Sequence, residues 1–135
     1  MDFGINTTPT ADGEGLVLAV DGEFDIAATE EFRRPAQEAI TGRRPLIVDV
    51  TACSFLDSSG LRAILQVHAA LQDGNGPAVP MAVVIGDSPA GRLLSLTEVD
   101  KRLSVVATRE EADEWLASAW KPNGKLGASS KTSAA

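Results

Sequence analysis

The chain has 135 residues, 44% of them hydrophobic and 23% charged, with a formal net charge of −7, a composition that suits one globular domain with its own core. No apolar run approaches the ~20 residues that span a bilayer, and Met1-Asp2-Phe3-Gly4 lacks the basic and apolar regions of a signal peptide, so a cytoplasmic location is expected. The lone Cys53 excludes an internal disulfide and a cysteine-rich zinc site, and the acidic balance disfavours non-specific attraction to nucleic acid or anionic lipid, which leaves a protein as the expected partner.

Phe3-Gly4-Ile5 is predicted to pair as an antiparallel edge with the strand Leu16-Val17-Leu18-Ala19-Val20, across a turn over residues 7–15 that contains Pro9 and two glycines. That strand is expected to stop at Gly22-Glu23-Phe24-Asp25. Phe32, Ala36, Ala39 and Ile40 then share one face of a helix that Asp25 or Thr29 would cap, Pro35 would kink and Gly42 would close. Leu46-Ile47-Val48-Asp49-Val50 reads as a buried strand, after which Leu61, Ile64, Leu65, His68 and Leu71 recur at helical spacing. The turn residues Asp73-Gly74-Asn75-Gly76-Pro77 end this second helix. Met81-Ala82-Val83-Val84-Ile85 is an internal strand, and Asp87-Ser88-Pro89 opens a short third helix with a capping serine ahead of a first-turn proline, burying Leu93, Leu94 and Leu96. Leu103-Ser104-Val105-Val106 is the last strand. Thr108-Arg109-Glu110-Glu111 has the capping-box pattern, and Ala112, Trp115, Leu116 and Ala119 stripe the final helix, whose end Trp120 covers.

Strands alternating with helices predict an α/β domain with about five strands in a mixed sheet and about four helices, its later strands parallel and its crossovers right-handed. Residues 1–120 are expected to form this domain. Residues 121–135 hold three lysines, no acid and only Leu126 as a large apolar side chain, which cannot offset a backbone ordering cost of ~1–2 kcal/mol per residue, so a disordered tail is expected there.

Asp57-Ser58-Ser59-Gly60 lies between a strand and a helix. Short polar side chains suit a helix start, whose free N–H groups and positive dipole end favour acceptors and anions, a phosphate on serine included. Glu23 and Asp25, Asp57 and Ser58, and Asp87 and Ser88 are all predicted to lie in strand-to-helix loops along one sheet edge, where ligands bind in such folds. These acids are read as helix caps rather than as an intrinsic metal site, and any Mg²⁺ is expected to come with a partner's nucleotide.

Gly22-Glu23-Phe24-Asp25, followed by Phe55-Leu56-Asp57-Ser58-Ser59-Gly60-Leu61 directly after an apolar strand, resembles the STAS domain of bacterial anti-sigma factor antagonists. The resemblance covers roughly residues 3–119. It implies that Ser58 is phosphorylated by a partner that is both anti-sigma factor and ATP-dependent serine kinase, and that a phosphoserine phosphatase reverses the step. The unphosphorylated protein would bind the anti-sigma factor and free a sigma factor. Asp25 would contact the partner, Asp57 would shape the loop or cap the helix, and Glu23, Ser59, Gly60, Leu61, Arg62 and Ser88 would complete the partner-binding loops. Arg62 and Ala63 stand where many relatives have a smaller first residue, a difference that bears on which partner is selected.

Other readings fit less well. The family also includes STAS modules of other signalling assemblies and of transporters. A hydrolytic Ser58 would lack a Gly-x-Ser-x-Gly elbow, and His68, the one histidine, lies about three turns along the same helix, some 15 Å away, so no enzyme activity and no cofactor are expected. Cys53 reads as a small buried hydrophobe and His68 as a packing residue. A receiver-type phospho-acceptor at Asp57 would need an acidic pair after the first strand and a lysine late in the chain near the phosphate, and Gly22-Glu23 and Lys101 do not supply them.

Overall fold

The structure is a computed structural model that describes residues 3–73, 77–96 and 103–120. Among them, five strands form one mixed sheet in the order β1-β2-β3-β4-β5: β1 (Phe3–Pro9), β2 (Leu16–Phe24), β3 (Leu46–Leu56), β4 (Met81–Val84) and β5 (Leu103–Val106). β1 runs antiparallel to β2 and every other pair is parallel. Four α-helices, α1 (Thr29–Gly42), α2 (Ser58–Gln72), α3 (Pro89–Leu96) and α4 (Arg109–Ala119), join them with a 3₁₀ turn at Ile26–Ala28.

Period-two alternation divides the strands between two cores. Leu16, Leu18 and Val20, Leu46, Val48 and Val50, and Met81 and Val83 face one side, where Phe24, Phe32, Ala36, Ile64, Leu71 and Leu94 cover them. Val17, Ile47, Ala82 and Val84 face the other, against Ala112 and Leu116 of α4. Phe24 and Phe32 are fully buried with ring centroids 4.9 Å apart at 51°, a tilted pairing that contributes ~0.5–1.5 kcal/mol beyond the area it buries.

Several elements depart from their expected bounds. β2 runs through Gly22, Glu23 and Phe24, and β3 continues to Leu56, with register irregularities between Ala19/Asp21 and Gly22/Glu23 where the two pair. Bulges keep these polar ends in the ladder while shifting which side chains face inward. α1 continues through Pro35 because Phe32, Ala36 and Ala39 on either side are held in the core, and that burial offsets the missing N–H. Gly42 is the last residue of α1. The left-handed capping position belongs to Arg43 (φ 52°), whose guanidinium donates to Pro77 O at 2.9 Å and Ala70 O at 3.4 Å. These bonds offset the ~1–2 kcal/mol that a side chain pays in that conformation. α4 has the expected capping box, with Thr108 Oγ1 accepting the Glu111 N–H at 3.1 Å and Glu111 returning the bond, but Ala119 is exposed rather than buried. Trp120 is half-buried against the larger core. The expectations for Gly74, Asn75 and Gly76, for the side chains of Leu93 and Leu96, for Lys101 and for the 121–135 tail lie outside the described residues.

Candidate functional site

The carboxyl ends of β2 and β3 bring two junctions together. In the β3–α2 junction Asp57 is the N-cap, its Oδ1 accepting the Gly60 N–H at 2.9 Å. Its own N–H donates to Phe24 O at 3.3 Å, which fastens the start of α2 to the end of β2. Ser58 is the first residue of α2 and is exposed, Ser59 is half-buried and Gly60 is buried. Gly60 meets a steric requirement: a Cβ there would stand 2.6 Å from Leu56 Cδ1 and 2.6 Å from Phe24 O. A backbone oxygen cannot move aside as a side chain does, so only glycine lets α2 approach β2 this closely.

In the β2–α1 junction Asp25 caps the 3₁₀ turn, its Oδ1 accepting from Ala27 N (3.0 Å) and Ala28 N (3.2 Å). The carboxylate expected to meet a partner therefore also builds its own loop. Glu23 was expected in that loop; it lies instead within β2, paired with Phe55 of β3 and half-buried. Ser88, expected beside it at the partner surface, is only 4% exposed. Its hydroxyl donates to Ile85 O (2.8 Å) and accepts from Gly91 N (2.9 Å), so it is spent as a helix cap.

α2 presents two stripes where the sequence predicted one. Gly60, Ala63, Ile64, Val67, His68 and Leu71 are buried, whereas Leu61 and Leu65 are only half-buried at the edge of the core. With Ser58, Arg62, Gln66 and Ala69 they line an open groove of about 380 Å³. Arg33 of α1 reaches the same surface, its Nη2 donating to Gln66 Oε1 at 2.9 Å. Two apolar side chains that sequence reasoning passed over stand out of the two junctions, Ile26 at 72% exposure and Phe55 at 49%. Phe55 directly precedes the inward-facing Leu56, and that out-of-phase placement was the available signal for it; Ile26 opens the 3₁₀ turn two residues beyond the buried Phe24, where strand alternation no longer applies. Exposed large hydrophobes clustered beside a polar helix start mark a protein-contact surface more than a small-molecule site.

The remaining reactive side chains lie elsewhere. His68 is buried in α2. Cys53 is buried, its thiol donating to Phe55 O at 3.1 Å, and burial pushes its pKa up, which suppresses the reactive thiolate. Among the described residues no group of three or more His, Cys, Asp or Glu is placed to hold a metal ion, and no helix is long and apolar enough to cross a membrane. On the α4 side of the sheet, Asp49 is 8% exposed. Its Oδ1 accepts from Thr51 N (2.9 Å) and Thr51 Oγ1 (2.7 Å), and its Oδ2 from Arg109 Nε (2.8 Å). Burial alone would raise the Asp49 pKa, but the Thr51 and Arg109 bonds outweigh it and hold the carboxyl below its usual value. This ion pair ties the start of α4 to β3.

Comparison with known proteins places these features in context. The STAS domain family model matches residues 5–112. The chain is 29% identical over 108 residues to the anti-sigma-F factor antagonist RsfB of Mycobacterium tuberculosis, covering 78% of this chain and 85% of that protein. Its fold is similar to the crystal structure of an anti-sigma factor antagonist from Mycobacterium paratuberculosis, with a TM-score of 0.74 at 20% identity over 86% of this chain and 95% of the other. It is also similar to the Bacillus cell-fate determinant SpoIIAA. The unphosphorylated form aligns with a TM-score of 0.62 at 24% identity over 86% of this chain and 98% of the other, and the phosphorylated form with 0.57 at 24% over 85% and 99%.

Proposed function

Because the chain belongs to the STAS domain family, we propose that it is an anti-sigma factor antagonist that binds an anti-sigma factor with serine-kinase activity through the α2 groove and the two junctions, and that phosphorylation of Ser58 ends this binding. The observation that carries the proposal is the position of Ser58: exposed, first in α2, directly after a capping aspartate and on the rim of the groove. A kinase can reach that hydroxyl without unfolding the domain. In the transfer, Ser58 Oγ attacks the γ-phosphorus of the partner's Mg-ATP. The new O–P bond forms as the bond to ADP breaks, and the hydroxyl proton passes to a base of the kinase. This chain supplies the acceptor and the docking surface, and the partner supplies the chemistry.

The phosphate adds ~1.5–2 negative charges, which the N–H groups and dipole of the α2 start tolerate within the domain. At the docked interface the same charge would have to be desolvated next to Asp57 and Asp25, which weakens the complex. A phosphoserine phosphatase would then restore the binding form. The docked partner is expected to cover Ile26, Phe55, Leu61 and Leu65, whose exposed apolar area offers the favourable burial that a modest interface needs.

The test is reconstitution with the anti-sigma factor kinase encoded in the same genome. Mg-ATP should add one phosphate, which peptide mapping places on Ser58. Ser58→Ala should abolish it, Ser59→Ala should leave it intact, and the phosphorylated protein should lose affinity for the kinase. A phosphate mapped to Ser59 or to Ser129, Ser130, Thr132 or Ser133, or equal affinities before and after modification, would overturn the proposal.

A further inference from the structure

Ser58 and Arg62 are four residues apart on α2, both exposed and both lining the groove. Side chains at this spacing are neighbours on a helix surface, with Cβ atoms about 5–6 Å apart. Arg33, Arg43, Arg44 and Arg109 have polar partners, whereas Arg62, like Arg34 and Arg92, has neither a side-chain hydrogen bond nor an ion pair among the described residues, and of these three only Arg62 shares a helix with Ser58. The Asp57 carboxylate is engaged with the Gly60 N–H, and Arg33 is held across the groove by Gln66 and by Glu30 at 3.9 Å. An uncommitted guanidinium one turn below the acceptor hydroxyl is therefore the nearest cation on the same helix face.

Taking Ser58 as the acceptor, as proposed above, we propose that Arg62 is the second half of the switch: in the unmodified protein its guanidinium is offered to an acidic group of the partner, and a phosphate on Ser58 captures it. Guanidinium and phosphate match as two parallel N–H···O bonds, a geometry a lysine cannot reproduce. Phosphorylation then acts twice, adding anionic charge at the interface and withdrawing the cation that the partner used. It also folds the Arg62 side chain back over the groove mouth toward Ser58.

The partner-independent test is a phosphorus NMR titration of protein carrying genetically encoded phosphoserine at position 58, in wild type, Arg62→Ala and Arg62→Lys. The second phosphate pKa, ordinarily about 6, should lie lower in wild type than in Arg62→Ala by about half a unit or more at low salt, with Arg62→Lys between them and the difference shrinking as salt is added. Identical titrations in wild type and Arg62→Ala overturn the capture. A second measurement serves if the phosphoserine protein folds poorly: Arg62→Ala should lower the melting temperature of Ser58→Asp by about 1–2 °C more than it lowers that of wild type, and an equal effect in both overturns the pairing. For the partner half, unphosphorylated Arg62→Ala should bind the anti-sigma factor about tenfold more weakly, and unchanged affinity overturns that half. If phosphorylated protein keeps full affinity while the titration shows the shift, the Arg62 capture stands and the switching role proposed for Ser58 falls. The converse pattern leaves Ser58 as the switch and removes Arg62 from it.

Discussion

Gly60→Ala offers a sharp test of how the Ser58 junction is built, because the two effects of the substitution have opposite signs. Alanine is the better helix former, by ~0.5–1 kcal/mol in a helix interior. Here, however, the added methyl would stand 2.6 Å from Leu56 Cδ1, 2.6 Å from Phe24 O and 3.0 Å from Phe24 Cδ1. Overpacking of this kind costs ~1–3 kcal/mol. The movement that relieves it lengthens the bond from Asp57 N–H to Phe24 O, which adds ~0.5–1.5 kcal/mol. The clash should win, leaving a net loss of ~1–3 kcal/mol and a melting temperature lower by roughly 4–10 °C. Gly42→Ala is the control, since its Cβ would meet only the flexible Arg44 side chain, at 3.3 and 3.4 Å. It should be neutral or slightly stabilising. Thermal and urea unfolding followed by circular dichroism gives both numbers, and a Gly60→Ala protein as stable as wild type would refute the close approach of α2 to β2.

Ser58→Asp should stay within about 1 kcal/mol of wild-type stability, because the dipole favours an acid in the first turn, while losing roughly thirty- to a thousand-fold in affinity for the anti-sigma factor by calorimetric titration. Equal affinities would defeat the proposed switch. Phe55→Ala should cost less than about 1 kcal/mol of stability but about tenfold or more in binding, and a large drop in melting temperature with intact binding would return Phe55 to the core. Arg109→Ala should lower stability by about 1 kcal/mol near neutral pH, a modest value because the arginine side chain is 45% exposed. Asp49 titrates lower in the folded than in the unfolded chain, so the wild-type advantage is full above the unfolded value and disappears as pH falls through the folded one. A difference that grew on acidification would contradict this. Cys53 should resist a thiol reagent in the native protein and react at the rate of unfolding; rapid native labelling would mean that β3 opens locally.

The parts of the fold that the sequence revealed are those where one physical effect dominates. Apolar runs such as Leu46–Val50 and Met81–Val84 belong to strands buried on both faces, and Thr108 with Glu111 leaves a local capping pattern that needs no tertiary knowledge. Asp57 as a cap belongs with these. The misread positions depend on distant contacts. The last residues of β2 and β3, Glu23 and Phe24 with Phe55 and Leu56, pair only with each other, beyond a register irregularity, so Glu23 joins a strand that its own neighbours do not predict. Arg43 adopts a glycine-like backbone because Ala70 and Pro77, remote in sequence, accept its guanidinium bonds. Leu61 and Leu65 carry helical periodicity as convincingly as Ile64 does, and only the packing of α2 against α1 and β3 decides which leucines are left at the groove. Asp49 within an apolar strand was visible, but its partner Arg109 was not.

The direction of the first strand and the last helix matters to anyone who handles this protein. β1 is antiparallel to β2, which sets Phe3 opposite Gly22 and its ring 5.3 Å from that of Phe24, at the same end of the sheet as Ser58. α4 leaves that end: it starts at Arg109 beside Asp49, and by Asp113 it has reached the β1–β2 turn, where Ala11 N–H meets Asp113 Oδ1 at 3.4 Å. An affinity tag or fluorophore attached ahead of Phe3 therefore enters beside Ser58, whereas one placed after Trp120 departs from the far end. Immobilising the molecule by the latter leaves the groove facing solution, and a pair of labels, one at each end, reports partner arrival at one end without disturbing the other.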